Sequence, residues 1–216
     1  MTILALEFSS SLRSVAIARD GRVLAQTSET GGRETHAFGM IENVLTAAKI
    51  ERGEIECLAV GLGPGSYTGI RVALSIAQGW QLACSVKMLG ISSVECLAAQ
   101  AQAEKMSGRV NVVIDAQRGE FYLAAYEVSA DGLKEVEPLK IVTATEVESR
   151  AGEGEHLIGP EVTRWFQNGR TIFPCAATLA KMAANHGEFV AGEKLEPIYL
   201  REANFVKAPA GRAPVI

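Results

Sequence analysis

Residues 61–71 read GLGPGSYTGIR, and the order of residue types along them sets a strand, a turn and a helix in succession. The apolar run Leu58 to Leu62 predicts a buried strand, and the helix that follows opens on three hydroxyls, Ser66, Tyr67 and Thr68. Gly63, Gly65 and Gly69 remove side chains where the backbone bends or is closely approached. Pro64 fixes φ within the turn, and Ser66 is a natural N-cap. The free N–H groups of a helix start favour an anion, which makes Gly63, Gly65, Ser66, Thr68 and Gly69 a candidate anion or nucleotide loop. The competing reading is a tight turn that lets the helix pack hard on its sheet. No lysine follows the glycines, so the stretch is not a Walker loop. Nor is it a dinucleotide fingerprint, because position 66 is serine and the loop does not follow the first strand.

The rest of the composition bounds the function. A chain of 216 residues, 48% hydrophobic and 21% charged, has core enough for one or two lobes. A net charge of −4 argues against a broad nucleic-acid surface, since phosphate affinity comes from clustered Lys and Arg. The opening MTILALEF enters a strand at once, and no uncharged apolar run approaches the roughly 20 residues of a membrane helix. A cytoplasmic protein with no membrane partner is expected. Cys57, Cys84, Cys96 and Cys175 lie far apart in apolar runs and read as reduced core thiols. His36, His156 and His186 share no HxxxH or HExxH spacing, so no metal site is expected from this chain alone.

The chain also echoes itself. Ile3 to Glu7, Ser14 to Ala18, an Asp20-Gly21 turn and a third strand are matched by Val110 to Asp115, Glu120 to Tyr126, an Asp131-Gly132 turn and a third strand. Two such units with their helices predict an α/β, actin-like (ribonuclease H-like) duplicated fold of two βββ-α lobes, residues 1–106 and 107–216. In that architecture an acid at the end of each lobe's first strand faces the cleft. Asp20 and Asp131 are committed to turns, so Glu7 and Asp115 are the candidate cleft acids. Glu7-Phe8-Ser9 is longer at the acid and bulkier after it than a magnesium-binding aspartate would be, which disfavours ATP hydrolysis.

Two helices carry the remaining signal. The first, about Thr35 to Ile50, places Ala37, Met40, Ile41, Val44, Leu45 and Ala48 on one stripe, with Thr35 as a cap and Phe38 off the stripe. The second, Ser66 to Val86, has Arg71 as its only charge. Ile70, Ala73, Leu74, Ala77 and Cys84 form one face, and Val72, Ile76, Gly79 and Ala83 lie opposite. A helix apolar nearly all round needs cover on both sides, from a second helical layer of this chain or from a partner. The expected interface takes Thr35, His36, Phe38, Met40, Ile41 and Val44 from the first helix. From the second it takes Arg71, Ala73, Leu74, Ala77 and Trp80, the last either a contact anchor or core. Arg33 and His36 stand at a helix start that is either solvated or in contact with a partner or cleft ligand. Arg118 pairs with Asp115 or meets a ligand, and Trp165 and Phe166 read as second-lobe core.

These residues resemble the TsaB (YeaZ) family of bacterial tRNA threonylcarbamoyladenosine biosynthesis proteins. GPGSYTGIR (63–71) is similar to the family's GPGSFTGLR, and IDAQRGEFY (114–122) to its second-lobe opening around DARR. EPIYLRE (196–202) resembles the closing PxYLR, while LALEFSS (4–10) departs from the usual IDTS by Glu7 and Phe8. The resemblance implies a non-catalytic relative of TsaD, the threonylcarbamoyl-transferring subunit, whose metal sits on an H-x-x-x-H motif. Ser93 and Leu97 stand where those histidines would fall. It further implies docking on TsaD through the two helices, TsaE as a third component, and tRNA reached only indirectly. A homodimer is expected when the partner is absent, with no cofactor bound by this chain alone and a nucleotide, if any, at the junction with TsaD. The alternative is an ATP-binding, kinase-like enzyme using Asp115, Glu7 and the Gly63–Gly69 loop. Proteolysis is disfavoured, because Ser66 has no histidine near it in sequence and His36 is the best available base. Tyr199 and Arg201 are expected to pack the C-terminal segment on a lobe, and residues 207–216 to be loosely ordered.

Overall fold

The computed structural model describes residues 1–31, 36–152 and 155–200. Thr35, Arg33, Arg201 and the tail from 207 lie outside the described residues. The first sheet is built from β1 (Thr2–Glu7), β2 (Leu12–Arg19), β3 (Arg22–Thr30), β4 (Cys57–Gly61) and β5 (Lys87–Ile91), in the order β3-β2-β1-β4-β5. The second contains β6 (Gly108–Asp115), β7 (Glu120–Val128), β8 (Leu133–Thr143), β9 (His156–Gly159) and β10 (Arg170–Thr171), ordered β10-β9-β6-β7-β8. In both, the first three strands pair antiparallel and the last two join parallel to the first, so the strand order is repeated lobe for lobe. This is the duplicated actin-like arrangement that the sequence echo predicts.

Hairpin chemistry sets the first corner. Asp20 (φ 52°) and Gly21 (φ 78°) both take positive φ, as a tight two-residue hairpin turn requires. Along β1 every residue is buried, because helices cover both faces of its sheet. Leu4 and Leu6 face a core shared with α1 (Ala37–Ala48) and α2 (Tyr67–Ala83). Ile3 and Ala5 face the opposite core, which is closed by α5 (Ala176–Ala184). The second sheet alternates likewise. Val110, Val112 and Ile114 point to a core with α3 (Ser93–Ala103), and Val113 to one with Val147 of α4 (Ala144–Gly152).

Two helices are exchanged between the halves. Val94, Leu97, Ala98 and Ala101 of α3 pack into the second sheet's core, although α3 precedes residue 107 in the chain. Leu179, Ala180 and Ala183 of α5 lie on the first sheet although α5 follows it. Burying Leu97 in the other lobe contributes roughly 2 kcal/mol, and it ties the lobes by packing rather than by the chain alone.

Several details of the sequence reading change. α1 begins at Ala37 with His36 in the cap position and no side-chain cap, and α2 ends at Ala83. Cys57 and Cys96 are core thiols, and burial pushes the Cys57 thiol up to about 11, but Cys84 is exposed and Cys175 half-buried. Phe166 is buried against Phe121, whereas Trp165 meets the same ring edge-on from a partly exposed position.

Candidate functional site

The glycine-rich turn is shaped by contact with the chain that leaves β1. A Cβ on Gly65 would lie 2.0 Å from the Ser9 carbonyl oxygen, and one on Gly69 would lie 2.0 Å from that of Phe8. Ser66 N–H donates to the Ser9 carbonyl at 2.6 Å, and Ser93 N–H donates to the Gly63 carbonyl at 2.8 Å. Ser66 caps α2 as its side chain predicts, its hydroxyl accepting from Gly69 N–H at 3.2 Å. The glycines thus permit close backbone packing, and the helix start still presents first-turn N–H donors beyond that cap.

Glu7 does not face the cleft. Its side chain is wholly buried and folds across Gly61, where a Cβ would come within 2.0 Å of Oε2. Oε1 accepts from Ser9 N–H at 2.7 Å and Oε2 from the Ser93 hydroxyl at 3.1 Å. Burial, opposed by these hydrogen bonds, holds the carboxyl above its ordinary value. The extra methylene of glutamate lets the acid reach back into the sheet, and the side-chain-free Gly61 leaves room for it. Asp115, at the matching place in the second lobe, does line the cleft, accepting from Gln117 N–H at 2.7 Å and from Gln117 Nε2 at 3.2 Å. Arg118 is not its partner; Arg118 and Gln117 both adopt positive φ in the turn before β7, and the amide takes the acid. The ATP-binding alternative needs an acid from each lobe at the cleft, and among the described residues the first lobe places none there.

The cleft itself is a cavity of about 560 Å³. From the first lobe it is lined by Ser9, Ser10, Ser11, Arg13, Gly65, Ser66 and Tyr67, and from the second by Asp115, Gln117, Tyr122 and Glu161. His36 is not among the lining residues. Its ring lies 3.8 Å from Glu29 Oε2, and its backbone N–H donates to Oε1 of the same acid at 3.1 Å. Ser93 is fully buried beside Glu7, and Leu97 sits in the second lobe's core. Among the described residues no group of three or more His, Cys, Asp or Glu is placed to hold a metal ion.

On the outer side, Met40, Ile41 and Val44 of α1 and Ala73, Leu74 and Ala77 of α2 are buried in this chain's own core. They are therefore not available to a partner, which corrects the interface expected from the sequence. The single stripe of α1 and the first face of α2 are consumed by the sheet. What stays open is the opposite flank, a groove of about 480 Å³ lined by Phe38, Tyr67, Thr68, Arg71, Val72, Ser75 and Ile76. Phe38 is 72% exposed at its rim, and Leu82 is 90% exposed near the end of α2.

The C-terminal segment covers the other edge of α2. Gln78 Nε2 donates to the Gly192 carbonyl at 3.0 Å, and Gly192 N–H donates to Gln81 Oε1 at 2.7 Å. Leu195 enters the core, and Ile198 N–H donates to the Leu62 carbonyl at 2.9 Å. Tyr199 then stacks on Tyr67 with centroids 5.6 Å apart, while Arg71 sits 4.3 Å from the Tyr67 ring centre. Tyr199 thus packs the C-terminal segment on the first lobe as expected. Trp80 is half-buried against the core, and its Nε1 is buried without a partner.

A duplicated βββ-α fold with exchanged helices, a cleft whose acids among the described residues, Asp115 and Glu161, both come from the second lobe, and an open helical flank define an actin-like protein. A family model for TsaD, tRNA N6-adenosine threonylcarbamoyltransferase, matches residues 34–198. The chain is 31% identical over 219 aligned residues to the tRNA threonylcarbamoyladenosine biosynthesis protein TsaB of Escherichia coli, covering 93% of this chain and 95% of that one. It is 28% identical to TsaB of Bacillus subtilis over 64% of this chain and 60% of that one. YeaZ of Pseudomonas aeruginosa superposes with a TM-score of 0.78 at 27% identity, over 92% of this chain and 99% of that one. The chain belongs to the TsaB (YeaZ) family. No described helix is long and apolar enough to cross a membrane.

Proposed function

We propose that this chain supports threonylcarbamoyladenosine formation on tRNA as a non-catalytic subunit, docking a TsaD-type transferase through the open flank of α1 and α2. The observation that carries the reading is the groove between those helices, apolar at Phe38, Val72 and Ile76 and bordered by Arg71. Exposed apolar surface gathered in one groove is what an interface core needs, and a lone arginine at its edge sets orientation. The absence of cleft-facing Glu7 and of imidazole at positions 93 and 97 leaves the chemistry to the partner. TsaE joins as the ATPase, and the net charge of −4 suits a subunit that leaves the tRNA to others. The same groove is the surface through which the chain would pair with itself when TsaD is absent.

The test is to mix the purified chain with the TsaD of its own host and measure complex formation by calorimetry. Phe38→Glu and Ser75→Glu, at exposed positions of the groove, should weaken the complex by at least about tenfold. Wild-type affinity in both variants would end the docking reading.

A further inference from the structure

The cavity between the lobes is lined by a largely buried cation that makes no ion pair among the described residues. Arg13, on β2, is only 6% exposed and lines the cavity, with its guanidinium crossing Gly31 so closely that a Cβ there would lie 2.5 Å from Nε. Its Nε is buried without a hydrogen-bond partner, and among the described residues it makes no ion pair. The acid opposite it in the β2–β3 register, Glu29, is turned to His36 instead. A buried charge left unpaired costs several kcal/mol, a cost that an anion entering the cavity would offset.

A second donor set faces the same space. Ser66 and Tyr67, at the N-terminus of the 17-residue α2, line the cavity, which puts the positive end of the helix dipole at its wall, although Ser66 N–H is taken by the Ser9 carbonyl and Gly69 N–H by the Ser66 hydroxyl. The opposite wall limits what fits. Asp115 and Glu161 present carboxylates from the second lobe, which repel an extended polyphosphate but leave the Arg13 side for one compact group. Glu7 is folded away, so among the described residues the first lobe brings no carboxylate to hold a divalent cation there.

We propose that the interlobe cavity binds a compact phosphate-class oxyanion, held by Arg13 and the N-terminus of α2 without a divalent metal. This does not depend on the docking groove, which lies on the outer flank of α2. The oxyanion is either free phosphate or the phosphate of a monoester, and both share the chemistry that a planar guanidinium reads in a bidentate way.

Calorimetry of the full chain in chelator-containing buffer, titrated with inorganic phosphate, tests the proposal. Saturable binding is expected, weakened about tenfold or more in Arg13→Gln and less in Arg13→Lys, with circular dichroism to verify folding. Should Arg13→Gln fail to fold, Glu161→Gln on the exposed opposite wall keeps the test open, with binding expected to tighten by about twofold. Displacement of phosphate by adenosine monophosphate supports a monoester ligand, and its failure to compete supports free phosphate. Absence of saturable phosphate binding overturns the proposal. So does binding unchanged by the Arg13 and Glu161 substitutions, or tighter binding of ATP that requires magnesium.

Discussion

The two lobes run the same strand order, yet the acids that end their first strands have opposite fates. Glu7 is sealed inside the first lobe, bonded to Ser9 and Ser93, while Asp115 stands at the cleft with Gln117. Each acid has a glycine at the end of the neighbouring parallel strand, Gly61 in β4 and Gly159 in β9. A Cβ on Gly61 would strike the Glu7 carboxylate at 2.0 Å, and one on Gly159 would strike the Val113 carbonyl oxygen at 1.9 Å. The same small residue makes room for a side chain in one lobe and for backbone in the other. Topology was duplicated, but one added methylene was enough to take the first acid out of the cleft and into the sheet.

The largest break in that comparison should come from Gly61→Ala. The new methyl has no space beside Oε2, and loss of about 3 kcal/mol or failure to fold is expected from denaturant unfolding. The double variant Gly61→Ala with Glu7→Ala should recover part of that loss. If it does not, the clash with Glu7 is not the cause.

Next in size is the contrast between the two faces of α2. Ala73→Glu places a charge in the closed core and should unfold the chain, whereas Ser75→Glu, on the exposed flank, should leave stability within about 0.5 kcal/mol of wild type. Equal destabilisation by both would show that the flank taken as open is in fact load-carrying core.

A smaller effect sharpens the difference between the acids through pH. Burial raises the native-state affinity of Glu7 for its proton above the ordinary value of 4.5, so the folded chain binds that proton more tightly than the unfolded one. The stability this contributes is complete below about pH 4.5 and is lost as pH climbs through the native value. Glu7→Gln cannot titrate, so its stability relative to wild type should rise with pH across that window. Urea midpoints of the two proteins between about pH 4 and about pH 8 measure it, and parallel profiles would refute it. Smallest of all, Asp115→Ala removes only exposed hydrogen bonds to Gln117 and should cost less than about 1 kcal/mol.

Much of the fold was legible because it is local. The Asp20-Gly21 turn, the Ser66 cap, the apolar strand from Leu58 and the repeated βββ unit each follow from neighbouring residues, and all stand in the structure. The site was read less well. The one-sided stripe of α1 correctly marked Phe38 as the residue left over. For α2, two apolar faces competed, and residue type alone did not say that Ala73, Leu74 and Ala77 would be buried while Val72 and Ile76 stayed partly exposed at the core's edge. Arg13 carried no sequence signal, since a charge at the start of a strand, between Leu12 and Ser14, reads as a solvated position until burial is known.

What the sequence by itself determined is the series of elements and the family, because periodicity, turn chemistry and the ordered motifs depend on residues close along the chain. What only the tertiary structure decided is the company those elements keep. The exchange of α3 and α5 between sheets, the C-terminal segment laid over Gln78 and Gln81, the burial of Glu7 and the unpaired charge of Arg13 all bring together residues far apart in sequence. The physical reason is that burial and pairing are properties of a packed environment, and an isolated stretch of chain does not have one.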